Sequence, residues 1–397
     1  IFQGLTRIAA DGSVLPALAT SWEMQDDGRT YLFHLRNGVR FHDGSDFDAS
    51  DVVFTLDRAR ADSSTNAQKE LFQGIETVEA VDPLTVRVTL RAPDGGFAYN
   101  MAWGDAVILD PASADQAATA PIGTGPYRLV KFTPGSSIEV ELTGQYFKDS
   151  PKGQPTIKSI VYRMIPDQST QMAELLSGGL DWIWYVPPDQ VAKLSAVKHV
   201  KVAPAETMRI SYLAFNTREM EAPNPLRDIR VRQAIGHAVD RAKLVQHVIG
   251  PGSSVVKAPC FRTQFGCKQD VEQVEYDPAK AKKLLADAGF PSGMKLELVA
   301  YRNREWTEAI AGYLDAVGIK TNVTFLQYAA ARERVVKNTA HIFLGDWGSY
   351  SINDISAILN NFFTLGPDDM AQDKEVSDWL KAGGATVDSV VRLKNYD

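Results

Sequence analysis

Two short stretches in the first quarter of the chain alternate apolar and polar residues at every second position. They are residues 31–35 (Tyr-Leu-Phe-His-Leu) and 84–90 (Leu-Thr-Val-Arg-Val-Thr-Leu). This period gives a segment one apolar and one polar face, as a half-buried β-strand requires. A third strand is expected over 75–81, joined to 84–90 as a hairpin through Asp82-Pro83. The first part of the chain is therefore predicted to contain a sheet.

A helix is predicted between these strands. Ser50 can act as its N-cap, and Asp51 lies in the first turn, where the helix dipole favours a negative charge. Apolar side chains then recur at helical spacing, at Val53, Leu56 and Ala59. These positions share one face of a helix and would bury it against the sheet. The first part of the chain is thus predicted to be α+β.

The middle of the chain predicts further strands and one helix. Strands are expected over 127–132 and 138–142, because a Pro-Gly turn separates them, and a buried strand is expected over 157–164. The helix that follows is capped by Asp167 and ended by the glycine pair that begins at Gly178. Its expected core stripe is Met172, Leu175 and Leu176.

The second half of the chain changes character. One helix is predicted from Asn224-Pro225 to Gly250, with apolar residues at helical spacing between them. Farther on, a strand over 295–301, a helix over 304–317 and a strand over 319–325 follow one another. This order is typical of a βαβ unit, so part of this sheet is predicted to be parallel.

Charge and composition then narrow the class of protein. Of 397 residues, 42 are Lys or Arg and 49 are Asp or Glu, which gives a net charge of −7. No nucleic-acid partner is expected, because phosphate binding draws on clustered basic side chains that this chain does not concentrate. No window of roughly 18 apolar residues occurs, so no membrane-spanning helix is predicted. Residues 1–5 do not resemble a translation start, and we expect that a signal peptide has been removed.

The two cysteines, Cys260 and Cys267, lie close together in the sequence. No second cysteine pair is present to complete a four-ligand metal site. A disulfide that closes a short loop is the simplest interpretation, and such a bond persists in an oxidising compartment. Two separate reduced thiols are the alternative.

Motifs that carry covalent chemistry are absent from the sequence. It contains no P-loop, no Gly-x-Ser-x-Gly and no His-Glu-x-x-His. The segment Gly123-Thr124-Gly125-Pro126 resembles a phosphate loop, but no lysine follows it and Pro126 has no N–H to donate. We predict a turn there. The absence of these motifs weakens the case for an enzyme.

Tryptophan residues lie beside polar or aromatic neighbours in three predicted loops. These loops carry Trp103 with Asp105, Trp182 and Trp184 with Tyr185, and Trp347 with Tyr350. A concave small-molecule site needs this combination, since rings supply contact area and polar groups fix the orientation of the ligand. The three loops are therefore candidates for a shared pocket, and ordinary core packing is the alternative.

Several segments, spread through nearly all of the chain and in a fixed order, resemble one known family. They are 15–23 (LPALATSWE), 31–44 (YLFHLRNGVRFHDG), 51–54 (DVVF), 123–127 (GTGPY), 213–216 (LAFN), 230–235 (RVRQAI) and 277–290 (DPAKAKKLLADAGF). In these segments the chain is similar to the family 5 extracellular solute-binding proteins. These are the peptide, nickel and opine receptors of ABC importers.

The resemblance implies an α/β (mixed α+β) fold of the type II periplasmic-binding-protein kind, bilobal with an extra small domain. The first lobe would comprise 1–20 and 121–210 and be completed by residues beyond 397. The small α+β domain would be 21–120, and the second lobe 211–397. The two lobes are expected to close on a small-molecule ligand and deliver it to permease subunits in the inner membrane. The resemblance implies a periplasmic monomer with no enzymatic activity, and neither a cofactor nor a metal site is expected.

The resemblance also implies ligand-contact residues. Trp347, Gly348, Ser349 and Tyr350 match the family's cleft loop, where a tryptophan stacks on the ligand. The remaining expected contacts, from segments that reach the cleft and from the aromatic loops, are Phe2, Trp103, Asp105, Trp184 and Arg302.

One position departs from the family's pattern. In peptide-binding members an aspartate stands three residues after this tryptophan and pairs with the ligand's α-ammonium, whereas here that position is Tyr350. A buried ammonium without a carboxylate is costly. Either Asp105, Asp346 or Asp354 substitutes, or the ligand is different. A peptide-like or opine-like solute, a sugar-linked compound and a nickel or other metal chelate stay open, and a secreted hydrolase or chaperone-like protein is the alternative class.

Overall fold

Strands and helices alternate along the chain in the mixed α/β manner expected from the sequence. The computed structural model describes residues 1–10, 12–25, 28–66, 68–349, 352–386 and 388–397. The chain divides into two compact units, and residues 1–183 and 384–392 form the first. Residues 184–383 and 393–397 form the second. The division into two lobes and a small domain stays a prediction.

In the first unit, the described residues form three antiparallel sheets, with strand orders β1-β2, β3-β4-β6-β5 and β7-β8-β9. The strands are β1 (Thr6–Ile8), β2 (Val14–Pro16), β3 (Ala19–Gln25), β4 (Thr30–Leu35), β5 (Ile75–Asp82), β6 (Thr85–Leu90), β7 (Tyr127–Thr133), β8 (Ser137–Leu142) and β9 (Ser159–Arg163). The helices are α1 (Ala49–Arg60), α2 (Phe97–Asn100) and α3 (Gln168–Ser177), with short 3-10 turns at Lys69–Leu71, Gly104–Ala106 and Ala114–Gln116. Both predicted hairpins, β5-β6 and β7-β8, are confirmed.

The core of this unit lies between α1 and the four-stranded sheet. Alternate residues of β4 and β6 are buried, as their period of two predicts, and Phe33, Val86 and Val88 are fully buried. On α1, Val52, Leu56 and Ala59 are buried against them. The apolar face of α1 is therefore centred on Val52 rather than on its neighbour Val53.

The N-terminus of α1 differs from the prediction by two residues. Asp48, not Ser50, is the N-cap, and its side chain accepts a hydrogen bond from the Ser50 amide at 2.7 Å. The Asp51 carboxylate accepts in return from the Asp48 amide at 2.9 Å. This reciprocal arrangement is a capping box, and it satisfies two backbone donors where a serine cap would satisfy one.

The predicted burial of β9 and α3 is wrong. Helix α3 begins at the predicted cap Asp167 and ends at Gly178, whose φ of 81° is left-handed. However, none of its residues is buried, and Leu176 is exposed. Residues of β9 are mostly exposed as well. The apolar composition of both segments predicted that they are buried in a core. Among the described residues of this unit, no layer buries them.

The second unit is built on one mixed sheet with strand order β10-β13-β11-β12. Its strands are β10 (Ile210–Phe215), β11 (Met294–Ala300), β12 (Ile319–Phe325) and β13 (Ile342–Trp347). Its helices are α4 (Pro188–Ser195), α5 (Ile229–Ala238), α6 (Arg241–Leu244), α7 (Pro278–Asp287), α8 (Arg304–Ala316), α9 (Tyr328–Val336), α10 (Ser356–Phe362) and α11 (Lys374–Gly384), followed by α12 (Ser389–Tyr396), of which residues 393–396 belong here. Strands β11, β12 and β13 are parallel, which confirms the βαβ unit, and β10 is antiparallel to β13.

The single helix predicted from Asn224 to Gly250 is instead four short helical segments. A 3-10 turn, Pro225–Arg227, precedes α5, and a π-helical turn, Val245–Ile249, follows α6. The breaks fall where aspartates cap new helices. Asp228 accepts from the Arg230 amide, and Asp240 accepts from the Lys243 amide. Aspartate side chains compete in this way with backbone carbonyls for hydrogen bonds from backbone amides. The spacing of apolar residues alone does not reveal this competition.

Within the described residues, no helix has both the length and the apolar character that crossing a membrane requires.

Candidate functional site

A buried carboxylate, Asp346, lies near the carboxyl end of β13 and contacts two arginines. Its side chain is 3% exposed. Arg302 Nε lies 3.1 Å from Asp346 Oδ2. Arg209 donates a hydrogen bond from Nη1 to Asp346 Oδ1. The two arginine side chains are about half exposed, at 50% and 52%. The carboxylate is thus hidden, while both guanidinium groups reach the surface of this unit.

The sheet topology explains why these three residues meet. Arg209 directly precedes β10, and β10 is antiparallel to β13, with Ser211 opposite Asp346. Arg302 follows β11, which is parallel to β13 on its other side. The beginning of one neighbouring strand and the end of the other therefore converge on the carboxyl end of β13. In open α/β sheets, ligands bind at such strand ends.

Aromatic rings support the arginine pair. The Arg302 guanidinium carbon lies 4.6 Å from the ring centroid of Tyr301. The Tyr301 ring stacks on Phe343 at 6.0 Å and meets Tyr328 edge-on at 5.1 Å. Burial, together with the Asp346 carboxylate, raises the pKa of Tyr301 to about 12. The phenol therefore stays protonated at neutral pH, beside the Asp346 carboxylate.

Trp347 lies beside these groups at the end of β13. Its ring meets Phe362 of α10 edge-on, with centroids 5.2 Å apart. A small cavity opens beside it, with an accessible volume of about 30 Å³, which is room for one or two water molecules. It is lined by Tyr212, Ala214, Tyr301, Tyr328, Arg332, Val335, Phe343, Asp346, Trp347, Phe362, Asp368 and Met370. Half of these residues are aromatic and three are charged, a combination that small-molecule sites commonly show.

The charges of the cluster around Asp346 do not cancel, and the two arginines of this cluster lie outside the lining of the small cavity. Arg332 pairs with Asp368 through two hydrogen bonds of 2.8 and 2.6 Å, which leaves that pair neutral. Arg209 and Arg302 share the single charge of Asp346, so these three side chains carry a net charge of +1. A guanidinium has five N–H donors, more than one shared carboxylate can accept. The arrangement is suited to an anionic group and unsuited to a cation.

The predicted residues that follow Trp347 are placed in part. A Cβ added to Gly348 would lie 3.5 Å from Arg209 Nη2, so this glycine lies beside the arginine pair. Ser349 is buried in a left-handed conformation, and its carbonyl accepts from the Ile352 amide at 2.8 Å. Tyr350 lies outside the described residues. The structure therefore brings together Arg302, Trp347 and Gly348 from the predicted set.

The other predicted contacts are Phe2, Trp103, Asp105 and Trp184. Phe2, Trp103 and Asp105 belong to the first unit and are half-buried. Phe2 packs beside Gly123, while the Asp105 carbonyl accepts from Asn66 Nδ2 at 3.0 Å. Trp184 belongs to the second unit and is 76% exposed. Their roles in ligand binding stay predictions.

The Gly123–Pro126 segment is held by protein groups. The Gly125 amide donates to the Ile1 carbonyl at 2.7 Å, and a Cβ on Gly125 would lie 2.4 Å from that oxygen. The ring of His42 bridges the turn, with Nδ1 accepting from the Gly123 amide and Nε2 2.9 Å from the Gly125 carbonyl. The glycines are thus needed for close backbone packing against the N-terminal residues.

The predicted disulfide is confirmed, since Cys260 and Cys267 are bonded. Among the described residues, no group of three or more His, Cys, Asp or Glu side chains could hold a metal ion. Of the aspartates considered as partners for a ligand ammonium, Asp346 already contacts two arginines. Asp354 is buried, and its carboxylate accepts from the Ser356 amide at the start of α10.

Arg209, Tyr301 and Tyr328 were not predicted from the sequence to be part of this site. Arg209 lies 137 positions from Asp346 in the chain, and only strand pairing brings them together. A signal existed for Tyr301, because it directly precedes the predicted contact Arg302 at the end of a predicted strand.

Comparison of the sequence with known proteins matches the chain to one family. The model for "Bacterial extracellular solute-binding proteins, family 5 Middle" matches residues 13–369. The glutathione-binding protein GsiB of Pectobacterium atrosepticum is 31% identical over 361 residues, which cover 88% of this chain and 69% of the relative.

Solved structures agree with this match. The periplasmic binding protein DppA of Helicobacter pylori, in complex with the peptide STSA, is 26% identical with a TM-score of 0.83, covering all of this chain and 83% of that one. AgaA of A. tumefaciens R10, in complex with agropinic acid, is 28% identical with a TM-score of 0.79, covering all of this chain and 82% of that one. The fold is that of the type II periplasmic binding proteins.

Proposed function

This chain belongs to the family 5 bacterial extracellular solute-binding proteins, whose members are receptors and not enzymes, and we propose that it captures a small peptide-like or opine-like solute bearing a carboxylate. The proposal includes residence in the periplasm as a monomer, closure of two lobes on the solute and delivery to the permease of an ABC importer. The observation that carries it is the pair of half-exposed guanidiniums of Arg209 and Arg302 on one buried carboxylate, beside Trp347.

The charge of the site favours a carboxylate over an ammonium. A ligand carboxylate would receive charge-assisted hydrogen bonds from guanidiniums that Asp346 already holds in place. An ammonium at the same position would face a net positive charge and find Asp346 already paired. Glutathione, for which one relative is named, and agropinic acid, which is bound in the AgaA structure, both carry carboxylates and are compatible with this preference.

The aromatic groups supply the remaining contact area. Trp347 is proposed to stack on the ligand, and Tyr301 holds the Arg302 guanidinium over its ring. Phe2, Trp103, Asp105, Trp184, Gly348, Ser349 and Tyr350 are retained as proposed ligand contacts on the basis of the family resemblance. The site residues described here supply binding and orientation, and the proposal requires no covalent step.

The first test is to identify what the protein carries. Gently purified protein is denatured, and the released small molecules are identified by mass spectrometry. We expect a solute with at least one carboxylate. Release of a cationic solute, a neutral sugar compound or a metal chelate would contradict the proposal. If nothing is released, a thermal-shift screen compares glutathione and short peptides with their carboxyl-amidated forms, and equal shifts for both forms would contradict it.

The second test uses the solute so identified. Arg302→Met should weaken its binding about tenfold or more, measured by calorimetry, because a charge-assisted hydrogen bond to the ligand is lost. Arg304→Met is the matched control. Arg304 lies two residues away and pairs with Glu308 on the surface of α8. Equal affinity of the two variants would argue against a role for Arg302.

A further inference from the structure

The disulfide loop, residues 260–267, packs against the segment 352–355, which lies shortly after the proposed ligand contacts Trp347 to Ser349. Cys260 is buried, and its bond to Cys267 closes the loop. The two segments are about ninety residues apart in the chain, so their contact is purely tertiary. The proposed ligand contacts do not include any residue of this loop.

The side chain of Gln264 forms hydrogen bonds from the loop to the second segment. Its side chain is buried, and its Nε2 donates to the Ile352 carbonyl at 2.8 Å and to the Asp354 carbonyl at 3.4 Å. Its Oε1 accepts from the amide of Phe261 within the loop at 2.8 Å. One buried amide thus joins the loop to the backbone of 352–355, with both ends of the amide satisfied.

Backbone hydrogen bonds continue the contact like a short parallel ladder. The Phe265 amide donates to the Asn353 carbonyl, and the Ile355 amide donates to the Phe265 carbonyl, both at 3.0 Å. Gly266 follows with a φ of 82°, and a Cβ there would lie 2.8 Å from the Ile355 side chain. The loop therefore approaches segment 352–355 too closely for another residue at this position.

The segment so held is connected to the site. The Ile352 amide donates to the carbonyl of Ser349, and Ile355 shares an apolar cluster with Cys260, Cys267 and Trp347. Fixing the position of 352–355 therefore limits where the chain can place Ser349 and Trp347. Backbone held by several hydrogen bonds on a rigid support gives a binding group a narrower range of positions.

We propose that Gln264, with its disulfide-closed loop, is a positioning residue that holds the 347–349 segment in its binding conformation before ligand arrives. This inference rests on the proposed function, because it assumes that Trp347 and its neighbours contact the solute. The side-chain amide of Gln264 holds Ile352 and Asp354 to the loop through hydrogen bonds to their carbonyls, and the disulfide keeps the loop closed. Pre-ordering of this kind reduces the entropy that binding must otherwise overcome.

The test uses the ligand-free protein, so that it does not depend on knowing the solute. Gln264→Met keeps the length of the side chain but removes both the donor and the acceptor. Gln269→Met is the matched control, since Gln269 lies beside the same disulfide, with Nε2 3.0 Å from Cys267 Sγ, and makes no bond to 352–355. The chain has seven tryptophans, so the indole N–H signal of Trp347 is assigned in the NMR spectrum with Trp347→Phe.

We expect Gln264→Met to shift or broaden the Trp347 indole signal. Hydrogen exchange at the amides of Phe265, Ile352 and Ile355 should become about tenfold faster, because the loss of one buried hydrogen bond is of that order. Gln269→Met should leave both readouts unchanged. Identical behaviour of the two variants would overturn the proposal.

A second measurement covers the case in which Gln264→Met does not fold. The wild-type protein is compared before and after reduction of the disulfide, and faster exchange is expected at Ile352 and Ile355 as well as within 260–267. Exchange that rises only within 260–267 would overturn the proposal. Either negative result leaves the proposed function intact, and a wrong ligand class leaves these ligand-free results unaffected.

Discussion

Two buried aspartates, one in each unit, are kept in opposite electrostatic surroundings. Asp51 in the capping box of α1 is 6% exposed and accepts from the Asp48 amide, and the charges nearest to it are those of Asp48 and Asp110. Burial, together with these two carboxylates, raises the pKa of Asp51 to about 6. Asp346 is equally hidden but contacts two guanidiniums.

The difference separates a structural carboxylate from one that supports a site. Asp51 fixes the start of a helix, and its charge is a cost that the hydrogen bond from Asp48 offsets only in part. Asp346 anchors two cations whose outer faces stay accessible, which is a means of presenting positive charge at a fixed place. Burial alone therefore does not identify a functional carboxylate, and the charge of its partners does.

The largest effect that would test this comparison is expected from Asp346→Asn. It leaves two guanidiniums without their shared carboxylate, and we expect a loss of about 2–3 kcal/mol in the free energy of unfolding, measured by urea denaturation at pH 7.5. The control is Asp315→Asn, because Asp315 forms an exposed surface pair with Lys320. That change should cost less than about 0.5 kcal/mol. If Asp346→Asn stabilises the protein, Asp346 is not the anchor of the arginine pair.

The same substitution at the other aspartate should have the opposite sign. The folded pKa of Asp51, about 6, lies above its ordinary value of 3.8. The folded state therefore binds a proton more tightly, and stability falls as pH rises from about 4 through 6. Asp51→Asn keeps an acceptor for the Asp48 amide and removes the charge. At pH 7.5 we expect a gain of about 1 kcal/mol, reduced from the full shift by solvent screening.

This gain should disappear near pH 3, below the ordinary pKa of 3.8, where wild-type Asp51 is mostly protonated in both the folded and the unfolded state. Urea denaturation at about pH 3 and pH 7.5 checks both halves of the expectation. Asp57→Asn on the same helix is the control, because Asp57 pairs with Arg60 near the surface, and it should show no gain at pH 7.5. A loss of stability for Asp51→Asn at pH 7.5 would show that its charge is needed by the capping box.

The smallest expected effect concerns the phenol beside Asp346. Tyr301→Phe removes the hydroxyl next to the carboxylate while both guanidiniums stay, so we expect a loss of about 1 kcal/mol or less in the free energy of unfolding. Tyr162→Phe, at an exposed position on β9, should change nothing measurable. A loss as large as that of Asp346→Asn would mean that the phenol, rather than the arginines, holds the carboxylate in place.

Local features of this protein were determined by its sequence. The strands of the β5-β6 hairpin, the cap at Asp167, the stop at Gly178 and the βαβ unit follow from side-chain period, capping and glycine conformation, which act over a few residues. The disulfide between neighbouring cysteines is equally local. Where a nearby residue competes for the same role, as Asp48 does with Ser50, the boundary predicted from the sequence is displaced.

Tertiary structure alone decided the rest. Residues 157–164 are apolar enough for a core, yet β9 is mostly exposed, because burial depends on which layer another segment supplies. Arg209 reaches Asp346 only because β10 pairs antiparallel with β13, and Gln264 reaches Ile352 only because the disulfide loop packs there. Such contacts join residues from distant parts of the chain, and local side-chain preferences carry no information about the partner that strand order selects.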